Sequence, residues 1–248
     1  MTDANEGGVY AEYLEHRRPH PRAEGALRWW HRQLLRRAER EGCAFRGARV
    51  LEIGFGHGYF AEEVSAAGGA YVGLDISPAL AAEAARRGFD VREGRVPPLP
   101  DDLAASADVV WMSHVLEHAR DWVEAREMLV AARRALRPGG AVVVVAPDLL
   151  DWREEFWNVD WSHGFPTTAR RCVQLFHDCG LRRVDWWHHR AGTFSAAPRA
   201  AAAAVARSVP YRLIDRLIRR SRDPDTGFAY SYMGVFGWRQ IMLVGRVG

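Results

Sequence analysis

Lysine is absent from the 248-residue sequence, so all 34 basic residues are arginine. Against 31 acids this leaves a formal charge of +3, too even a balance for a selected basic surface, and no nucleic-acid partner is expected. The arginine and alanine bias reads as a compositional habit of the source genome. Cysteine is scarce: Cys43, Cys172 and Cys179 are odd in number, widely spaced and form no CxxC pair. This excludes a disulfide framework and a zinc ribbon, and predicts three ordinary buried thiols. No apolar run reaches the roughly 18 residues of a membrane span. The start, MTDANEGGVYAEYLEHRR, lacks the apolar core of a signal peptide. The expectation is a cytoplasmic protein without stable membrane insertion.

What is present is a globular composition, 48% hydrophobic and 26% charged, in a chain long enough for one domain with additions. Ala26, Trp29, Trp30, Gln33, Leu34 and Ala38 recur at helical spacing and predict one or two N-terminal helices ending at Gly42. From Arg49 the texture alternates between short apolar runs and amphipathic stretches: RVLEI, HGYFAEEVSAAG, AYVGLDI, PALAAEAARRG, FDVRE. This is the pattern of a parallel sheet covered by helices. A strand at ADVVWMS, a helix through WVEAREMLVAARRAL, a turn at Arg137-Pro138-Gly139-Gly140 and a strand at AVVVVAP continue it. The unbroken apolar run Ala141 to Ala146 fits a central strand buried on both faces. Another helix and strand, TARRCVQLFHDCG and LRRVDWWHH, follow, and RQIMLVGRV predicts a last strand.

Two segments break the alternation. Asp148 to Pro166, rich in tryptophan and acid, follows a central strand at the edge where open α/β sheets bind ligands. Residues 190–233 read as a helical insertion before the last strand. Its amphipathic YRLIDRLIRRSR predicts a solvated cap or a homodimer contact rather than a membrane-surface helix.

The most specific motif is VLEIGFGHGYF, a strand entering a glycine turn and then a helix, with the spacing ExGxGxG. Glycines there admit a ligand close to the backbone, and the helix start offers free N–H groups. Asp75 ends the next strand, where a carboxylate can accept hydrogen bonds from the two hydroxyls of a ribose.

VLEIGFGHGYF, YVGLDIS, ADVVWMSHVLEHARD and ALRPGGAVVVVAPD resemble, in order and spacing, the successive motifs of class I S-adenosylmethionine-dependent methyltransferases. The resemblance spans Gly47 to Pro147. It extends through NVDWSHGFPTTARRCVQLFHDCGL, similar to a subgroup that modifies glycans, lipids and natural products. The resemblance implies a Rossmann-like fold with a mostly parallel seven-stranded sheet and helices on both faces. Residues 1–46 would form a helical lid, with Tyr10 and Tyr13 over the cofactor, and residues 47–248 the methyltransferase domain.

By the same resemblance Glu52, Gly54, Phe55, Gly56 and Gly58 surround the methionine part of S-adenosylmethionine. Asp75 holds the ribose, and Ile76 lies beside the adenine. Glu93, Gly94, Arg95 and Val96 flank the adenine edge. Arg95 departs from the pattern, since an acid often stands there, so a backbone carbonyl or Glu93 must accept the adenine amino hydrogen. Ser113 and His114 line the pocket near the sulfonium.

Transfer to a hydroxyl calls for alignment, exclusion of water and a proton acceptor, for which histidine is suited by its pKa of about 6.5. His163 is the first candidate base, with Asp160 orienting it or binding substrate, and His114 is the second. His118 reads as structural. Trp152, Trp157 and Trp161 are candidates for stacking on a sugar or planar acceptor, as His163 is for contacting it. His114, Glu117 and His118 form HxxEH, and with His163 could hold a metal, as a similar motif does in small-RNA 2'-O-methyltransferases. LEH after the fourth strand is widespread in members of the class I family that need no metal, so none is expected. The resulting expectation is O-methylation of a sugar or small natural product. The alternatives are N-methylation of an amine, a metal-dependent RNA 2'-O-methyltransferase, and a noncatalytic cofactor-binding subunit.

Overall fold

The structure is a computed structural model, and residues 21–190 and 238–247 are described. Elements in chain order are α1 (Pro21–Arg40), β1 (Arg49–Ile53), α2 (Tyr59–Ala66), β2 (Ala70–Asp75), α3 (Pro78–Arg86), β3 (Val91–Glu93) and β4 (Ala107–Ser113). They continue with α4 (Trp122–Ala135), β5 (Leu136–Pro147), α5 (Leu149–Trp152), α6 (Glu155–Asn158), α7 (Ala169–Asp178), β6 (Leu181–Arg190) and β7 (Arg239–Val247). A 3-10 turn at Leu116–His118 follows β4.

The strands form one seven-stranded sheet in the order β3-β2-β1-β4-β5-β7-β6. All neighbours are parallel except β7, which runs antiparallel to both β5 and β6. Strand alternation divides the core into two layers. Leu51, Ile53, Val110, Met112, Val142 and Val144 face α4 and α7, where Leu129, Cys172 and Phe176 are buried. Val50, Val109, Trp111, Val143 and Val145 face the other way, against Trp30, Leu34 and Ala38 of α1 and Phe60 and Val64 of α2. Cys43, Cys172 and Cys179 are buried, as expected.

The i, i+4, i+8 spacing of Trp30, Leu34 and Ala38 puts one apolar stripe of α1 into this core. Arg32 forks onto both oxygens of Glu63 on α2, at 3.0 and 3.2 Å through Nε, and the Arg37 guanidinium lies 4.2 Å over the Trp187 ring of β6. The described part of the N-terminal segment is therefore a layer of the core itself. Tyr10, Tyr13 and nearly all of the expected insertion at 190–233 lie outside the described residues.

The turn expected at Arg137–Gly140 is instead the start of β5. Ala107 pairs with Leu136 and Val109 with Ala141, so the extra residues are absorbed as a bulge, with Gly139 at φ 79°. Among the described residues no helix is long and apolar enough to cross a membrane.

Candidate active site

The strand order reverses between β1 and β4, the switch point beyond whose carboxyl ends such sheets bind ligands. The loop after β1 is shaped by its glycines. At Gly54, with φ 86°, a Cβ would lie 2.5 Å from Val115 Cγ2, so this position is closed by its neighbour. At Gly56, with φ 53°, nothing among the described residues lies within 4 Å of where a Cβ would stand.

Asp75 fastens this loop from below. One carboxylate oxygen accepts the amides of Phe55 at 2.8 Å and Gly56 at 3.4 Å, and the other accepts the Ser77 amide at 2.8 Å. Burial pushes its pKa up, with the three amides pulling against it. The acid expected for the ribose is thus also the clamp that shapes the loop. Ile76 beside it is half-buried, and Gly94 donates its amide to the Asp75 carbonyl at 2.8 Å, bringing the loop after β3 alongside.

Several expected contacts are corrected by the side chains. Glu52 is buried, and one of its carboxylate oxygens accepts the Tyr71 hydroxyl at 2.6 Å, an inner partner the sequence does not reveal. Its pKa is raised well above the ordinary range, first by burial and also by Asp75. Phe55 turns its ring into the α3 layer, 5.9 Å from Phe89, and offers the loop only its backbone. Arg95 pairs with the buried carboxylate of Glu124 on α4 at 2.6 Å. Val96 is part of the core, while Glu93 is exposed.

Ser113, the last residue of β4, is half-buried, and His114 after it takes φ 56°, a left-handed conformation that costs a β-carbon-bearing residue about 1–3 kcal/mol and gathers at functional sites. Its Nδ1 lies 3.0 Å from Glu117 Oε1. Glu117 is fully buried. Burial pushes its pKa up, but the His114 hydrogen bond and the surrounding imidazoles outweigh this and hold it below the usual range. The ring of Trp30 packs 5.8 Å from His114, so α1 walls this side of the site.

The tryptophan-rich segment reaches the same place. Gly164 makes the approach feasible, since a Cβ there would meet the Ala119 carbonyl oxygen at 2.5 Å, and the Phe165 amide donates to the Glu117 carbonyl at 3.1 Å. His163 is thereby set beside His118, ring centroids 4.8 Å apart. It is 7% exposed, and its Nδ1 faces the Phe156 carbonyl in a short contact. Asp160 is buried in the same loop. Its Oδ1 accepts the Ser162 hydroxyl at 2.6 Å, and Ser162 Oγ lies 2.9 Å from His118 Nδ1.

Of the three tryptophans, Trp152 is in the core: it packs on Trp238 and Phe156 and donates its indole N–H to the Arg239 carbonyl at 2.9 Å. This corrects its substrate role. Trp157 and Trp161 keep exposed faces, 48% and 76%. Sequence reasoning missed Tyr71, Glu124 and Ser162 as partners.

The sheet order, with its one antiparallel strand and a glycine loop held by Asp75 at the switch point, defines the class I methyltransferase fold. Solved structures share it. A methyltransferase from Haloferax volcanii in complex with the Trm112 activator superposes at TM-score 0.66 and 19% identity, over 96% of both chains. An S-adenosylmethionine-dependent methyltransferase from Archaeoglobus fulgidus gives 0.57 and 21%, over 87% of this chain and 94% of that one. A profile of the methyltransferase-domain family matches residues 11–192, and the chain belongs to that family.

Among curated relatives, an uncharacterized methyltransferase of Mycobacteroides abscessus is 38% identical over 114 residues, 42% of this chain and 41% of that protein. A protein of Mycolicibacterium smegmatis, described as a probable S-adenosylmethionine-dependent methyltransferase, is 38% identical over 110 residues, 43% of this chain and 40% of that one. The match thus spans about two fifths of these relatives. The site fits S-adenosylmethionine on its own geometry: open space over Gly56, the amides that begin α2, and the Asp75 carboxylate beside them.

Proposed function

We propose that the chain is an S-adenosylmethionine-dependent methyltransferase acting on a hydroxyl of a small acceptor, a sugar or natural product, with His114 as proton acceptor. S-adenosylmethionine supplies a methyl group on a sulfonium with a good leaving group. Gly56, Asp75, Ile76 and Gly94 would hold it, and the protein adds alignment and a proton acceptor.

The observation that carries the reading is the His114–Glu117 pair at the switch point. A buried carboxylate only accepts, so Nδ1 of His114 carries the hydrogen and Nε2 carries the lone pair. His114 is more open than His163, with a third of its side chain exposed (34%), and so passes ahead of it as the base. The exposed faces of Trp157 and Trp161 suit stacking on an acceptor ring.

Calorimetry with S-adenosylmethionine, followed by transfer of labelled methyl to a panel of glycosides, phenols and amines, tests this. His114→Ala is expected to lower kcat on a hydroxyl acceptor by about 10²–10⁴-fold with cofactor affinity retained. Full activity of that variant on an amine points to N-methylation, since a neutral amine needs no base. Cofactor binding with no transfer to any acceptor points to a noncatalytic subunit. No cofactor binding at all refutes the reading.

A further inference from the structure

We infer that Glu117, His118 and His163 form a binding site for one divalent first-row transition-metal ion, of the manganese-to-zinc series. One ligand atom from each residue lies within 4.8 Å of the other two. The first independent pointer is Glu117. It is fully buried, Oε1 is engaged by His114, and Oε2 has no hydrogen-bond partner among the described residues. A buried carboxylate oxygen left in this way is costly unless a cation or donor meets it.

The second pointer is the state of the two imidazoles. The Phe156 carbonyl facing His163 Nδ1 is an acceptor only, so Nδ1 carries the hydrogen and Nε2 the lone pair. For His118 the same follows one step removed. The single hydrogen of the Ser162 hydroxyl points to Asp160, so Ser162 Oγ accepts from His118 Nδ1, and His118 Nε2 again bears a lone pair. Imidazoles anchored through one nitrogen to a carbonyl or a polar relay are the arrangement of metal-bound histidines.

The backbone holds the two halves together. The Phe165 amide to the Glu117 carbonyl, and the close approach at Gly164, bring the loop carrying His163 against the turn carrying Glu117 and His118. Two nitrogens and one carboxylate oxygen favour manganese to zinc over calcium or magnesium, which prefer all-oxygen sites. Three protein ligands leave coordination positions for water or an acceptor oxygen. Glu117 would then serve both sides, one oxygen on His114 and the other on the ion. An acceptor hydroxyl on that ion would lose its proton more readily. The site reverses the expectation of no metal, and it stands independently of the methyl-transfer reading.

The test is titration of full-length, tag-free, chelator-stripped protein with Co²⁺ followed by visible absorption, and with Zn²⁺ followed by calorimetry. One equivalent is expected. Glu117→Gln, which keeps side-chain volume, and His163→Ala should weaken binding by more than about 100-fold, and Ser162→Ala by about 10-fold. His177→Ala, on the exposed side of α7, should bind as the parent does. In the unaltered protein, Zn²⁺ should shift the imidazole proton resonances of His118 and His163 and leave those of His177 in place. The inference is overturned by no saturable binding to the parent protein, by binding that survives Glu117→Gln and His163→Ala together, or by shifts that leave His118 and His163 unmoved. Cofactor calorimetry on the same metal-free protein separates this failure from failure of the methyltransferase reading.

Discussion

Gly54 and Gly56 stand two residues apart in one loop, both at positive φ, yet an added methyl group should act on different properties at each. At Gly54 the new Cβ lies 2.5 Å from Val115 Cγ2, and the Gly54 amide is tied to the Leu74 carbonyl at 2.8 Å, so the backbone has little room to retreat. The left-handed conformation costs about 1–2 kcal/mol and overpacking a further 1–3, together about 2–5 kcal/mol. For a domain of this size each kcal/mol lowers Tm by about 2–4 °C, so Gly54→Ala should melt about 4–20 °C low.

At Gly56 nothing among the described residues meets the new methyl, leaving the conformational cost of about 1–2 kcal/mol. The open space is where a ligand must approach, so Gly56→Ala should weaken S-adenosylmethionine by about 5–150-fold, the equivalent of a 1–3 kcal/mol clash. Thermal melts give the first quantity and calorimetry the second. Val115→Ala, which removes the obstructing methyl groups, should restore part of the stability of Gly54→Ala and none of the affinity of Gly56→Ala. Gly56→Ala binding cofactor as the parent does, or equal losses of stability in the two single variants, would refute this division of roles.

Three further outcomes follow from the packing. His31 has its pKa lowered to about 4, chiefly by burial, with the Leu27 carbonyl pulling it up and His114 and His57 pushing it down. Its folded-state value lies below the ordinary 6.5. The stability is therefore full above about pH 6.5 and lost as pH falls toward 4, because the unfolded chain takes up the proton first; the loss is about 3 kcal/mol at most. Urea melts at pH 7 and pH 5 should show this, and His31→Phe should flatten it. Arg95→Ala should leave cofactor affinity within about twofold and cost about 1 kcal/mol or less, since Glu124 keeps the Arg120 amide at 2.7 Å. A large loss of affinity on calorimetry returns Arg95 to the adenine edge. Trp152→Ala should cost about 3–5 kcal/mol with acceptor KM unchanged in the folded fraction. Trp161→Ala should do the reverse, within about 0.5 kcal/mol in stability but with a raised KM.

The alternation of strands and helices was legible because a parallel strand buried on both faces must be a continuous apolar run, as Val142 to Val145 is. The glycine loop was legible because its spacing is local. The misreadings concern partners remote in sequence. Arg137-Pro138-Gly139-Gly140 has turn chemistry, and only the pairing of Leu136 with Ala107 shows it to be a bulge within a strand. Arg95 finds Glu124, and His118 finds Ser162, across 29 and 44 residues. Nothing local to Trp152 distinguishes a ring packed on Trp238 from one facing a pocket. HxxEH was visible in the sequence, but the orphaned Glu117 oxygen became visible only once the side chains were packed.

The placing of β7 between β5 and β6 bears on how the molecule is made. Synthesis delivers β1 to β5 first, with most of the candidate site on them, while one edge of β5 waits unpaired for residues 239–247. From Ala141 to Ala146 that edge is wholly apolar in the finished protein. Until β7 arrives it is a template for pairing with any neighbouring chain. A polypeptide interrupted before residue 239 would therefore carry nearly all the residues of the site and still be prone to aggregate, so β7, made after the strands that carry the site, protects a site to which it contributes little.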